Sequence, residues 1–400
     1  MLAHLLKLIW KRKTRNLLLT AEILLAFVLV FAVAAFGTRY YQLYRLPLGF
    51  DARNLWSVYI DTANDDAIKA DPAAYDKFER SLRALPEVEQ LAFSTNALYV
   101  MERTSNEFTL PDGSARVDAP QLEVSDGFFA LAGMQLVQGR WFSALDDGAA
   151  ATPVIINRRL AQALFPGRSA VGQQFSDSEA DAPSRHMLKV AGVIDEFRDQ
   201  GEYMTPTYFM LSRFTPLNPQ STPHTILLRL RPGTARGFER TLLARLKAVH
   251  NDWAYTIAPE SEQRASMLKT QMMPLLVLGV IAAFLLVMVA FGLFGVLWQN
   301  TTLRIPEIGL RRAIGADAGH IYRQIIAEQL LLSSVAMLAG LLLLVQLPVT
   351  GAFGDELNWP VFVVAAALSM AVIYLLSLLC AVYPGWRASR LSPTEALHYE

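Results

Sequence analysis

Residues 303–329 read LRIPEIGLRRAIGADAGHIYRQIIAEQ, with Arg304, Arg311, Arg312 and Arg323 set among Glu307 and Glu328. These residue types suit charge-assisted recognition rather than bond-making catalysis, because a guanidinium forks onto a carboxylate and holds it. Their spacing gives them a scaffold. Pro306 suits a first helical position, and Glu307 lies in the first turn, where the helix dipole favours an acid. Ile305, Ile308 and Leu310 supply apolar contacts, with Ile314 one turn beyond Leu310. Gly315 reads as a C-terminal stop. Asp317 can cap a second helix with Ile321 and Ile325 on one face. A tether would not need helix, glycine turn and helix. A compact helix with an apolar face and arginines suits docking into a groove of a partner.

Other chemistry is sparse. There is no G-x-x-x-x-G-K-[ST], so the chain has no phosphate cradle of that type. The six histidines, at 4, 186, 224, 250, 320 and 398, show no H-E-x-x-H or paired metal-ligand spacing. No G-x-S-x-G elbow is present. No catalytic, cofactor-binding or metal residues are assigned, and the chain is read as a non-enzyme. The pairs Asp65–Asp66, Asp146–Asp147 and Asp195–Glu196 read as solvated loop charge. Met267, Met272 and Met273 read as flexible packing. Glu22 is the acid well inside an apolar run, and an intramembrane carboxylate is a functional candidate by default. It lies near the end of that run, within reach of interfacial water or a basic neighbour.

These residues sit on a membrane scaffold. Of 400 residues, 53% are hydrophobic and 18% charged, too apolar for an ordinary soluble domain. Net charge is zero, and no zinc-finger spacing or basic excess points to nucleic acid. The single cysteine, Cys380, cannot form an internal disulfide. Four runs can cross a membrane, at about 17–37, 272–298, 325–347 and 360–382. The fold expected is an α-helical membrane protein with four transmembrane helices and a large extracytoplasmic α+β domain (38–271) between the first and second.

Short basic flanks set the expected orientation. Lys7, Lys11, Arg12, Lys13 and Arg15 precede the first span, four arginines lie in the second loop (299–324), and Arg387 and Arg390 follow the fourth span. The loop 348–359 has Asp355 and Glu356 and no base. The positive-inside rule therefore places both termini, including the tail 383–400, and the arginine-rich loop in the cytoplasm. A cleaved signal peptide is the alternative for the N-terminus, but the run exceeds a usual h-region. Residues 1–16 are either a basic helix lying in the interface or a plain basic tail.

The outside domain has two subdomains. "LWSVYID", "AAYDKFERSLRAL" and "EVEQLAFST" read as strand, helix, strand, and so do "HTILLRLR", "ARGFERTLLARLKAV" and "WAYTIAP". They form a split α+β subdomain at about 50–101 and 222–260. A β-rich insertion occupies about 102–213, in which "TPVIINRRLAQALFPG" reads as strand, helix and Pro-Gly stop. "HMLKVAGVIDEF" reads as a strand with a bulge at Gly192, and "SDSEADAPSR" as a polar loop.

"EIGLRRAIGA" followed by "IYRQIIAEQLLL" closely resembles the loop and third span of the MacB/FtsX-like permeases of ABC transporters. "YPGWRASRLSPTEALHYE" resembles that family's ending. "VSDGFFALAGMQLVQGRWFS", "VIINRRLAQALFPGRSAVGQQF" and "VAGVIDEFRD" resemble the periplasmic core domain of MacB-type permeases. The resemblance implies a bacterial inner-membrane permease that pairs with a second permease, alike or different. It implies a cytoplasmic ABC ATPase that binds ATP and Mg²⁺, this chain holding no cofactor itself. Glu307, Ile308, Gly309, Arg311, Arg312, Ala313, Gly315 and Ala316 would then be the coupling residues, the charges pairing with the ATPase and the apolar groups filling its groove. The chain begins almost at its first span, so the ATPase is expected to be a separate polypeptide. Export by mechanotransmission, with a periplasmic adaptor or substrate, is the implied function. The alternative is an FtsX-like regulatory complex that activates a periplasmic partner such as a cell-wall hydrolase, though such relatives usually carry a smaller outside domain.

Overall fold

The computed structural model describes residues 13–62, 71–110, 113, 116–177, 187–216 and 222–390. Residues 1–12, the pair Asp65–Asp66, most of the polar loop after Asp177 and the tail from 391 lie outside them. In chain order come α1 (Lys13–Tyr44), β1 (Leu55–Asp61), α2 (Ala73–Arg83) and β2 (Val88–Ser94). Next are β3 (Thr104–Thr109), β4 (Arg116–Val124), α3 (Phe128–Ala132), β5 (Leu136–Gly139) and β6 (Thr152–Asn157). Then follow α4 (Arg158–Leu164), β7 (Gln174–Asp177), β8 (Met187–Ile194), β9 (Met210–Arg213) and β10 (Thr225–Leu230). Last are α5 (Phe238–Val249), β11 (Ala254–Pro259), α6 (Glu260–Leu303), α7 (Ile305–Ala313), α8 (Ala318–Leu344), α9 (Gln346–Thr350) and α10 (Trp359–Ser389). The chain divides into two compact units, residues 43–271 and residues 1–42 with 272–400.

In the first unit, β1–α2–β2 and β10–α5–β11 interleave into one antiparallel sheet of order β11-β1-β10-β2. Strand alternation sends Trp56, Val58, Ile60, Ile226 and Leu228 to one face. There they meet Phe78 and Leu82 of α2 and Phe238, Leu242 and Leu246 of α5, set at helical spacing. The opposite face is buried too: Leu55, Ala92 and Leu227 pack with Phe128, Phe197 and Phe209.

Strands β4, β3, β7, β8, β6 and β9 follow one another, and a parallel pairing of β9 with β4 (Gln121↔Met210 to Val124↔Arg213) closes them into a ring. Closure leaves no open edge within the ring. Phe108, Val154, Ile156, Leu160, Phe175 and Val190 fill it. Asn157 caps α4, its side chain accepting from Leu160 N at 3.0 Å. The β6–β8 register slips between Val190 and Gly192, which places the bulge where the glycine lies. A Cβ on Gly192 would stand 2.7 Å from the Arg140 carbonyl oxygen, so only glycine fits.

Asp147 and Asp195 are exposed, as solvated loop charge is, but each acid of the described pairs in this unit also has an arginine partner. Arg140 grips Asp146 at 2.5 Å and holds its carboxyl below the usual carboxylate range. Asp126 and Asp147 converge on the buried Arg213, at 2.7 and 2.5 Å. Asp195 pairs with Arg158 and Glu196 with Arg159. Arginines brought from other segments by the barrel supply partners that adjacency in sequence could not reveal. Met267 is likewise buried, in the aromatic core of this unit.

The second unit holds parts of four helices long and apolar enough to span a membrane. Leu19, Ile23, Phe27 and Phe31 of α1, Val289 and Leu293 of α6, Ala336 and Met337 of α8 and Ala365, Ile373 and Ala381 of α10 form one core. Small residues let the helices approach, and polar ones bond across: Ser333 and Ser377 meet at 2.7 Å. Glu22 lies over Gly292, where a Cβ would come within 2.8 Å of Oε2, and it forms no ion pair among the described residues. Gly340 is the tightest apolar approach, since a Cβ there would sit 2.6 Å from the Phe27 ring. Gly340→Val is expected to cost about 1–3 kcal/mol by forcing Phe27 aside. The check is the melting temperature of the detergent-solubilised protein, and an unchanged value would contradict this packing.

Candidate functional site

The helical path breaks at Arg304, after which α7 begins, and its two faces differ. Ile305, Ile308 and Gly309 turn inward. Ile308 packs with Ile321 and Ile325 of α8 and Ala388 of α10, so α7 is seated on both helices. Leu310 and Ile314 point away and are 56% and 79% exposed. Gly315 follows with φ +100°, in the left-handed region, and Ala316 N donates to Arg311 O at 3.0 Å. Asp317 then caps α8, its carboxylate accepting from Gly319 N at 3.0 Å.

The charges form a network inside this loop. Arg304 donates to Glu328 at 2.7 Å and lies 3.5 Å from Glu307. Arg311 reaches Glu307 at 2.6 Å, one turn back, and Gln324 at 3.1 Å. Gln324 in turn donates to Glu328 at 2.9 Å. The contact of Arg311 with Gln324 ties α7 to α8 directly, and Arg304, just before α7, joins Glu307 to Glu328 of α8.

Two expectations change as a result. Ile308 is buried on the inner face of α7 and cannot fill a partner's groove, because the 3.6-residue period turns it toward α8; Gly309 is buried beside it. Glu307 and Arg311 are partly engaged with each other before any partner arrives. Ala313 and Gly315 are exposed, and Ala316 is half-buried at the turn. The Arg312 side chain lies outside the described residues. Leu310 and Ile314 carry the outward apolar surface, and their one-turn spacing was the signal for it. The face suits recognition; no metal-holding group of three or more His, Cys, Asp or Glu occurs among the described residues.

Motif searching missed a second constellation, in the loop after β8. Arg198 is fully buried and donates to the carbonyls of Leu46 (3.1 Å), Met204 (2.9 Å) and Glu202. Glu202 binds Arg264 of α6 at 2.5 Å, and Asp199 pairs with Arg103. The loop thus grips the segment following α1 and the first turns of α6 within the same unit. "DEFRDQGEY" is its trace in the sequence, a charged run where a β-turn would suffice.

A family model for the MacB-like periplasmic core domain matches residues 17–237, and a model for the FtsX-like permease C-terminal region matches residues 279–393. The chain is 26% identical over 300 residues to the macrolide export ATP-binding/permease protein MacB 1/2 of Paracoccus denitrificans, covering 72% of this chain and 43% of that protein. It is 23% identical over 399 residues to the uncharacterized ABC transporter permease YknZ of Bacillus subtilis, covering 97% and 96%. The crystal structure of the periplasmic region of MacB from Actinobacillus actinomycetemcomitans aligns with 56% of this chain and 97% of its own, at 14% identity and a TM-score of 0.39. The chain spans about half the length of the MacB relatives it matches.

Proposed function

The chain belongs to the ABC permease family that joins a MacB-like periplasmic core domain to an FtsX-like permease region, and from that premise we propose that it is the membrane subunit of an ATP-driven export complex. Its four apolar helices and periplasmic-type domain fit a multi-pass inner-membrane protein. On this reading a cytoplasmic ABC ATPase binds ATP and Mg²⁺ and seats against α7. Two permease chains, alike or similar, act together. Closure of the ATPase pair moves the spans, and α1 and α6, which carry residues of both units, convey that motion to the periplasmic domain.

The observation that supports the reading is the exposed apolar pair Leu310 and Ile314, on α7 and the turn that follows it, oriented by a network of charges within the loop. Leu310 and Ile314 supply the affinity, and Arg311 and Arg312 add attraction to an acidic rim. Glu307, Ile308, Gly309, Ala313, Gly315 and Ala316 hold the shape of the coupling element.

Leu310→Asp with Ile314→Asp is expected to remove the co-purifying ATPase and its stimulation. Two buried aliphatic side chains contribute about 4 kcal/mol, close to a thousandfold in affinity. The charge-exchanged pair Glu307→Arg with Arg311→Glu preserves the pairing within α7 and is expected to have a much smaller effect. Full ATPase stimulation in the double aspartate variant, with the permease still monodisperse, would sink this assignment.

A further inference from the structure

Where α6 and α10 end, aromatic rings and arginines are stacked together. Trp298 of α6 and Tyr383 of α10 lie 5.9 Å apart and are parallel to within 5°. Phe294 lies beside the pair, 6.2 Å from both rings, and Trp386 follows Tyr383 at 6.3 Å. The Arg387 guanidinium sits 4.3 Å above Trp298, and that of Arg390 sits 4.6 Å above Trp386. Tyr383, Trp386 and both arginines are exposed.

The pairing of these arginines is unlike that of others in the same unit. Arg39, Arg304 and Arg311 each face a carboxylate. Arg387 and Arg390 form no ion pair with any described carboxylate; each sits over an indole ring. A cation–π contact engages the face of the guanidinium and leaves its in-plane N–H groups to donate elsewhere. At three residues apart on one helix, the two lie on the same face, roughly 5–6 Å between Cβ atoms. A tetrahedral anion with several acceptor oxygens can bridge that gap, and arginine forks match it. The stack closes the apolar run of α10, the level at which Trp and Tyr meet lipid headgroups.

We infer that Trp298, Tyr383, Trp386, Arg387 and Arg390 form a binding site for the phosphate of an anionic phospholipid headgroup, with acyl chains lying along Phe294. The rings fix the guanidinium planes and face the glycerol and upper acyl carbons. The arginines take the phosphate oxygens. This site adjoins the seat of α7, because Ala388, between the two arginines, packs on Ile308. The inference rests on membrane insertion alone and is independent of the ATPase reading.

The test uses the full chain in nanodiscs of equal phosphatidylglycerol and phosphatidylcholine, followed by native mass spectrometry of the lipids retained after gentle detergent extraction. The wild type is expected to retain phosphatidylglycerol selectively. Arg387→Gln with Arg390→Gln is expected to reduce that selectivity about thirtyfold, toward the ratio in the bulk lipid. Trp298→Leu with Trp386→Leu is expected to weaken it while leaving both charges in place, which bulk surface attraction would not predict. Arg323→Gln, an exposed arginine off the stack, serves as the control and is expected to retain wild-type selectivity. Equal selectivity in the arginine double variant and the wild type would overturn the site. So would displacement of the lipid by millimolar inorganic phosphate, which would indicate a site for the free anion.

Discussion

Arg198→Met lowers the melting temperature of the periplasmic-type unit by about 10 °C or more. The side chain is enclosed and its guanidinium holds the carbonyls of Leu46, Met204 and Glu202. Methionine fills much of the volume and donates nothing. A hydrogen bond to a charged group contributes about 1.5–3 kcal/mol, and a buried carbonyl stripped of its donor costs about 1–3 kcal/mol. Loss of these contacts comes to on the order of 4 kcal/mol, against a typical domain stability of about 5–15 kcal/mol. For a unit of this size each kcal/mol shifts the melting temperature by about 2–4 °C. Arg198→Lys is expected to fall between, because one ammonium on a flexible stem cannot serve three diverging carbonyls. Differential scanning fluorimetry of the purified chain measures both variants. A methionine variant melting with the wild type would mean that the loop is held by packing alone. Because the same loop binds Arg264 through Glu202, the variant is also expected to loosen the start of α6.

Glu260→Gln raises stability at alkaline pH and leaves it almost unchanged near pH 4.5. Glu260 opens α6 inside the periplasmic-type unit, before the apolar run that begins near Met272, and it is fully buried. Among the described residues neither carboxylate oxygen has a well-formed hydrogen bond; the nearby Ser57 hydroxyl, which donates to Ala258 O at 3.3 Å, offsets the burial only in part. Burial pushes the carboxyl up from its ordinary 4.5 to about 8. In the unfolded chain the proton leaves near 4.5, so between the two values the folded state binds more protons than the unfolded one. Stability therefore falls as pH rises from about 4.5 to about 8 and is level above that. At about 1.4 kcal/mol per unit, the full effect is several kcal/mol. Glutamine is neutral throughout and removes that slope. Melting curves at pH 4.5, 7 and 8.5 should come together at the acid end and separate by about 10 °C or more at the alkaline end. Parallel pH profiles for the two proteins would refute the assignment.

Local pattern was enough for much of this molecule. The four spans follow from unbroken apolar length, because a bilayer must be crossed by a helix that satisfies its own backbone. The repeated strand–helix–strand units follow from alternation in β1 and β10 and from Phe78–Leu82 and Phe238–Leu242 at helical spacing. The glycine turn at 315 and the cap at Asp317 are legible because each is a local backbone requirement. Interleaving the two units into β11-β1-β10-β2, and closing the ring through β4 and β9, required contacts between distant segments. No run of residues encodes such a partner, since register is set by which faces are buried together.

The candidate site divides along the same line. The sequence by itself placed a short amphipathic helix with paired charge between two spans. It could not choose which apolar residues face inward, because that depends on where α8 and α10 pass. Ile308 is taken up by Ile321, Ile325 and Ala388, and Leu310 and Ile314 are left outside. Asp126 and Asp147 share Arg213, Arg198 grips three carbonyls, and Glu260 is buried with no ion pair among the described residues. Those states were decided only by the tertiary structure, because the charge on a side chain is local while its desolvation and its partners belong to the elements folded around it.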